Sequence, residues 1–248
     1  MRLQVGCCGF ASSHAKYYSV FPVVEIQQTF YRLPQLATAE RWRNEAPPGF
    51  AYTMKAWQLI THEPSSPTYR LLKQPIDKTV TDRYGSFRDT PEVHDAWRRT
   101  REFAEALGGK IIVFQSPATY RPTEVNAANL RRFFERVDRD PFLFAWEPRG
   151  AWPDTWIGKL CEDLDLLHCV DPLKNRALYG KVIYYRPHGR TGYRYTHTEE
   201  DFAEISARLR ADVSNYVLFN NTQMFSDARR FAEYMGGKSS SRGNARGR

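Results

Sequence analysis

The chain has only four cysteines, and no two of them form a C-x-x-C pair, so no zinc knuckle is suggested. Adjacent Cys7 and Cys8 would point to opposite faces of a strand. No disulfide framework is suggested, and with Cys161 and Cys169 they are expected to be free, buried thiols. No apolar run approaches the roughly 18 residues of a membrane span, so no membrane partner is expected. The opening "MRLQVGCCGF" lacks a charged n-region, a long h-region and a small-residue cleavage site, and it enters strand-like sequence at once. A cytoplasmic location is expected. Acidic residues are missing from the last twelve positions, "GKSSSRGNARGR", which hold Lys238, Arg242, Arg246 and Arg248. Residues 237–248 therefore read as a basic disordered tail, and without its four cations the net charge of +8 falls to +4. That balance is compatible with a nucleic-acid partner and is modest evidence for one.

What is present points to a folded, enzyme-like protein. Hydrophobic residues make up 42% and aromatic residues 14% of 248 positions, too apolar for disorder and enough for a sizeable core. Eight strand-like runs can be read: "LQVGCCG", "PVVEIQ", "FAYTMKA", "KIIVFQS", "FLFAWEP", "LLHCVD", "KVIYYRP" and "NYVLFNN". Amphipathic helical patterns lie between them, with Leu130, Phe133, Phe134 and Val137 or Ile157, Leu160, Cys161 and Leu164 at i, i+3, i+4 and i+7. Helix starts are signalled by Thr90 before Pro91, Thr123 before Glu124, Pro153 before Asp154 and Ser226 before Asp227. This alternation predicts an α/β fold, a (β/α)8 TIM barrel forming one domain over residues 1–236, with a doubly wound open sheet as its rival. The segment from Ile60 to Asp89 reads as a long loop excursion.

In a barrel, strand residues alternate between the helix layer and the axis. If the large apolar residues face the helices, Glu25, Lys55, Gln115, Glu147, Asp171, Arg186, His188 and Asn220 all turn inward, each at or near the C-terminal end of its strand. Barrel enzymes build their active sites at that end. One such residue could simply seal the barrel, but repetition on seven strands favours a functional pocket. Glu25, Lys55, Glu147 and Asp171 are the candidate catalytic groups. Two carboxylates in one low-dielectric mouth would split into an acid and a base or nucleophile, while Lys55 would neutralise one of them or attack an aldehyde as an amine. Gln115, Arg149, Arg186, His188 and Asn220 are the candidate substrate-binding groups. Arg186, His188, Arg190 and Arg194 flank the turn after strand seven, where barrels often bind phosphate. Tyr31, Trp57, Tyr193, Tyr195, Tyr69 and Trp152 are aromatics that could stack on or grip a base, although a loop aromatic taken alone is more often local packing. No cofactor is expected. A divalent metal, held by some of His62, His188, Glu25, Glu147 and Asp171, is the minority reading, because no tight ligand spacing supports it. His14, His94, His168 and His197 read as structural or surface residues.

The stretches "GCCGF", "VEIQQTFYRLP", "RWRNEAPPGFAYTMKAWQLITH", "IIVFQSP", "EPRG", "YYRPHG" and "LFNN" together resemble the YecE-like family, domain-of-unknown-function family 72, over about residues 2 to 235. "EPRGAW" and "GSFRDTPEVHDAW" look like its archaeal branch, and Trp146 stands where many bacterial members carry Phe. The resemblance implies a TIM barrel, with a proposed role in DNA binding or repair that rests on the likeness of such barrels to apurinic endonucleases. Three functions follow as expectations. The first is cleavage of a phosphodiester or N-glycosidic bond in nucleic acid. The second is a hydrolase, lyase or isomerase acting on a small phosphorylated or carboxylated sugar-like substrate. The third is a non-catalytic barrel binding nucleic acid or protein, which is favoured if the inward groups pair off.

Overall fold

The computed structural model describes residues 2–72 and 76–244, with side chains through residue 237. Its strands are β1 (Arg2–Cys7), β2 (Val23–Ile26), β3 (Ala51–Lys55), β4 (Gly109–Ser116), β5 (Leu143–Pro148), β6 (Leu167–His168), β7 (Val182–Tyr185) and β8 (Ser214–Phe219). They form one sheet in the order β6-β5-β4-β3-β2-β1-β8-β7. The first strand therefore lies between the second and the last, and both of its pairings are parallel. A doubly wound sheet would instead reverse its order at a switch point. The order is that of the expected (β/α)8 TIM barrel.

The helices are α1 (His14–Tyr18), α2 (Gln28–Tyr31), α3 (Leu36–Glu45), α4 (Gln58–Thr61), α5 (Pro91–Leu107), α6 (Glu124–Arg136), α7 (Asp154–Asp163), α8 (Glu199–Ala207) and α9 (Met224–Asn244). Three of the expected starts coincide with N-caps: Thr90 and Thr123 accept the N–H of Val93 and Asn126, and Pro153 precedes α7. The fourth differs. α9 starts at Met224, because Asp227 turns its carboxylate to the N–H and ring of His197 and to the Asn221 amide. The same helix continues to Asn244, into the segment read as a tail; residues 245–248 lie outside the described residues. β6 is shorter than the run "LLHCVD", since His168 N–H leaves the ladder for the Tyr179 carbonyl. The excursion from Ile60 to Asp89 contains two 3-10 turns, Pro67–Leu71 and Lys78–Arg83.

Contacts divide the chain into two compact units. The first comprises Met1–Val24, Val170–Ala177 and Lys181–Arg248; the second comprises Glu25–Cys169 and Leu178–Gly180. In the second, Phe114 and Phe144 pack against Trp97, Phe133 and Phe134 of α5 and α6. Each such fully buried ring stabilises the fold by about 2 kcal/mol. Tyr52 OH donates to the Trp42 carbonyl of α3. The even-numbered residues of β3, β4 and β5 thus face the helices, which turns Lys55, Gln115 and Glu147 to the opposite face. In the first unit, Tyr185 OH reaches the Arg208 carbonyl at the end of α8, and Phe219 packs on Phe202 and Phe231. Arg186 and Asn220 therefore point away from those helices. Tyr17 OH accepts the Cys7 N–H and donates to the Val23 carbonyl, pinning α1 under β1 and β2.

Candidate functional site

In the second unit, charged and amide groups occupy the C-terminal ends of four strands. Glu25 is 0%, Lys55 5% and Glu147 3% exposed, so each needs compensation for lost hydration. Glu25 accepts a hydrogen bond from Gln27, two residues on and of the same parity. Lys55 Nζ donates to Gln115 Oε1 at 3.2 Å and stands 3.8 Å from the centre of the Phe30 ring. A ring face attracts an ammonium, so Phe30 favours Lys55 as a cation. Gln115 and Glu147 are register partners on β4 and β5. Arg149 Nη2 lies 2.6 Å from Glu147 Oε1. A carboxylate so paired is held as the anion.

His62 lies behind this group, with Nδ1 2.8 Å from Thr61 Oγ1 and its ring edge-on to Phe30 at 4.8 Å. Burial, reinforced by the Lys55 charge, pushes its pKa down to about 3, so the imidazole is neutral. Thr29 Oγ1 donates to the Lys55 carbonyl and fixes the end of β3.

In the first unit, Asp171, His188 and Asn220 form a separate chain of contacts. Asp171 Oδ2 accepts the His188 N–H at 3.1 Å and lies 3.5 Å from Nδ1, while Oδ1 accepts the Leu173 N–H at 3.0 Å. Burial pushes the Asp171 carboxyl up, but hydrogen bonds from His188 and Leu173 outweigh it and hold the group below the usual carboxylate range. Asn220 Nδ2 lies 2.9 Å from His188 Nε2. Arg186, at the end of β7, is fully buried.

Several expected binding residues have other work. Trp57 is 1% exposed and lies under the Arg99 guanidinium, so it offers no face to a base. Trp152 is buried, donates to the Tyr120 carbonyl and stacks on Tyr120. Tyr69 OH donates to the His62 carbonyl. Tyr31 is half-buried against Phe30, and its carbonyl accepts from Gln58. Arg190 is bound by Asp201 and Glu204, and Tyr195 OH donates to Asp201. Tyr193, by contrast, is 56% exposed, and Arg194 is exposed beside it. All four cysteines are buried thiols outside any disulfide, and burial pushes those of Cys7 and Cys161 up to about 12.

Sequence reading missed Gln27, Phe30 and His62 as supports of this group. The parity of Glu25 extended past the strand end would have found Gln27; nothing in the sequence pattern marks Phe30 beneath a lysine. Among the described residues, no group of three or more His, Cys, Asp or Glu side chains is placed to hold a metal ion.

Solved structures agree with the fold. A DUF72 family protein from Enterococcus faecalis V583 superposes with a TM-score of 0.72 at 18% identity, covering 95% of this chain and 98% of its own. A D-allulose 3-epimerase from Methylomonas sp. gives 0.56 at 12% identity, with 95% and 97% covered. Endonuclease IV from Thermus thermophilus gives 0.51 at 12% identity, with 94% and 97% covered. At these identities the likeness is one of fold. No curated protein matches the chain. No helix among the described residues is long and apolar enough to cross a membrane. The family model "protein of unknown function DUF72" matches residues 11–246, and the chain belongs to that family.

Proposed function

We propose that this chain is a proton-transfer enzyme, a hydrolase, lyase or isomerase, acting on a small carboxylated or phosphorylated sugar-like substrate. The supporting observation is the Lys55 ammonium held between Gln115 and Phe30 on the same sheet face as the Glu147–Arg149 pair. A buried cation stabilises negative charge that develops on a substrate oxygen, whether enolate or leaving group. Glu25 is the acid/base at the end of the adjacent strand. Glu147, kept ionised by Arg149, accepts substrate hydroxyls or serves as the second base. Arg149 itself, 37% exposed at its side chain, is the group that meets an entering carboxylate or phosphate.

Cleavage of nucleic acid is the second reading. Its support is the basic net charge with exposed Tyr193 and Arg194. It ranks second because Trp57 and Trp152 are buried and Arg190 is taken up by two carboxylates.

The test is a panel of aldose and ketose phosphates and sugar acids incubated in D2O and followed by NMR for solvent deuterium uptake or bond cleavage. Lesion-bearing oligonucleotides, with and without divalent metal, run in parallel. Turnover of a panel sugar that falls about 100-fold or more in Glu25→Gln or Glu147→Gln supports the proposal. Turnover of oligonucleotides alone would transfer it to the second reading. No turnover of either would favour the non-catalytic binding barrel.

A further inference from the structure

We propose that His188 is a general base whose Nε2 takes the proton of a substrate hydroxyl, with Asp171 as its positioning residue and Asn220 as a guard on the lone pair. For its substrate class the proposal rests on the sugar-like reading above; for its chemistry it stands on the first unit alone.

The amide nitrogen of Asn220 carries two hydrogens and no accepting lone pair, so at 2.9 Å it donates and Nε2 accepts. The single N–H of the neutral ring is thereby placed on Nδ1, the nitrogen that faces Asp171 Oδ2 at 3.5 Å. Asp171 cannot easily turn away, because its two oxygens hold the backbone N–H groups of His188 and Leu173. One carboxylate therefore fixes the main chain at residue 188 and, facing Nδ1 from 3.5 Å, favours the same tautomer that the Asn220 amide sets. That combination aims a basic nitrogen; a purely packed histidine does not need it.

The same unit supplies an internal comparison. His197 also faces a carboxylate, with Nδ1 2.9 Å from Asp227 Oδ2, but both side chains are 0% exposed and the ring is walled by Tyr195 and Phe219. That pair is structural. The His188 side chain is 13% exposed, and its Nε2 is covered by a half-buried amide at a strand end. An entering hydroxyl offers the same donor as Asn220 and can replace it without leaving Nε2 unsatisfied. In the step itself the O–H bond breaks, an N–H bond forms at Nε2 and the electron pair stays on oxygen. The imidazolium faces Asp171 and returns the proton to the atom on which negative charge ends.

Two measurements on the full chain test this. In protein labelled with nitrogen-15 at histidine, the Nε2 of His188 should show the shift of an unprotonated nitrogen at pH 7.5 and Nδ1 that of an N–H. Asp171→Asn should weaken this preference, which the Asn220 amide still supports, and Asp171→Asn combined with Asn220→Ala should give a mixture of tautomers. A proton on Nε2 in the wild type would overturn the proposal, because the ring would then be a donor to Asn220 and the contact structural. In the second measurement, diethyl pyrocarbonate, which acylates unprotonated imidazole nitrogen, is reacted with each protein and modification is mapped by mass spectrometry. His188 should react about tenfold faster in Asn220→Ala than in wild type, while His197 stays unmodified in both. An unchanged rate at His188 in a variant with wild-type circular dichroism would also sink the proposal. Failure of the sugar-like reading is seen separately, as absence of deuterium uptake by any panel sugar while His188 keeps its tautomer.

Discussion

The Nζ of Lys55 sits 3.8 Å from the centre of the Phe30 ring and donates to Gln115 on the neighbouring strand. Holding an ammonium in a buried position costs stability, so its presence calls for a reason beyond packing. Lys55→Met is expected to leave the urea midpoint unchanged or raise it, with a change within about 1 kcal/mol, while weakening the binding of inorganic phosphate about tenfold. Phe30→Leu should weaken phosphate binding less and lower stability by about 1–2 kcal/mol through lost ring contacts. A large loss of stability in Lys55→Met would show the lysine to be structural. The imine role is tested by borohydride trapping with a sugar aldehyde. No adduct at Lys55 is expected, since the ring and the amide both favour the charged form.

Two buried histidines make stability depend on acidity. Burial and the Lys55 charge put His62 at about 3, and burial puts His168 at about 4 despite the opposing carboxylates of Asp154 and Glu147. In the unfolded chain both titrate near the ordinary value of 6.5. Between that value and about 4 the unfolded state therefore binds two protons that the folded state refuses. Stability is full above 6.5 and falls as pH drops, by up to about 2.7 kcal/mol per pH unit from the two groups together. Urea denaturation between pH 7.5 and 4.5 should show this slope, and His62→Gln or His168→Gln should each reduce it by about half. An unchanged slope in His62→Gln would mean that the ring is protonated in the fold.

The Glu147–Arg149 pair is buried at one end and open at the other. Arg149→Met removes the cation beside a buried carboxylate, and with the guanidinium half in water the expected loss is about 1–2 kcal/mol. Glu147→Gln leaves a neutral amide, and the double variant should regain most of the stability lost by Arg149→Met. A double-mutant cycle by chemical denaturation gives the coupling, expected near 1 kcal/mol. Coupling near zero would place the pair with ordinary surface ion pairs and weaken the case for Glu147 as a fixed anion.

The strand ends were readable because a strand has a period of two. Once Tyr52, Phe114 and Phe144 are assigned to the helices, Lys55, Gln115 and Glu147 must share the other face, and the structure has them there. The cyclic order of strands followed from eight alternating units. Trp57 and Trp152 are covered in the structure, and a loop tryptophan gives no local sign of which of its two readings holds; Arg99 and Tyr120 come from distant sequence. The partners of Arg190 are hidden for a related reason. Asp201 is the third helical residue of a capping box with Thr198, and only the folded turn brings the arginine to it. Phe30 and His62 beside Lys55 were invisible because they depend on how α2 and the segment after β3 return to the strand.

That returning segment rests on a contact no side chain could make. Gly85 has φ +77°, and a Cβ there would stand 2.2 Å from the His62 carbonyl oxygen. Ser86 and Phe87 follow with φ of 53° each, a conformation L-residues adopt at a cost of about 1 kcal/mol or more. The N–H groups of all three bond to the carbonyls of Leu59, Thr61 and Ile60, and Phe87 is buried against Phe114 and Phe133. The turn thus clamps residues 59–62 to the core and with them His62, the ring behind Phe30 and Lys55. Gly85→Ala is expected to cost about 2–4 kcal/mol, combining the left-handed penalty with the clash. Gly49→Ala is the control: its φ is +83° but nothing lies within 4 Å of the added carbon, so about 1 kcal/mol is expected. If the clamp positions His62, Gly85→Ala will also raise the His62 pKa toward its ordinary value, readable by proton NMR, while Gly49→Ala will not move it. Equal losses in the two variants, with His62 unmoved in both, would show that the turn bears no relation to the lysine site.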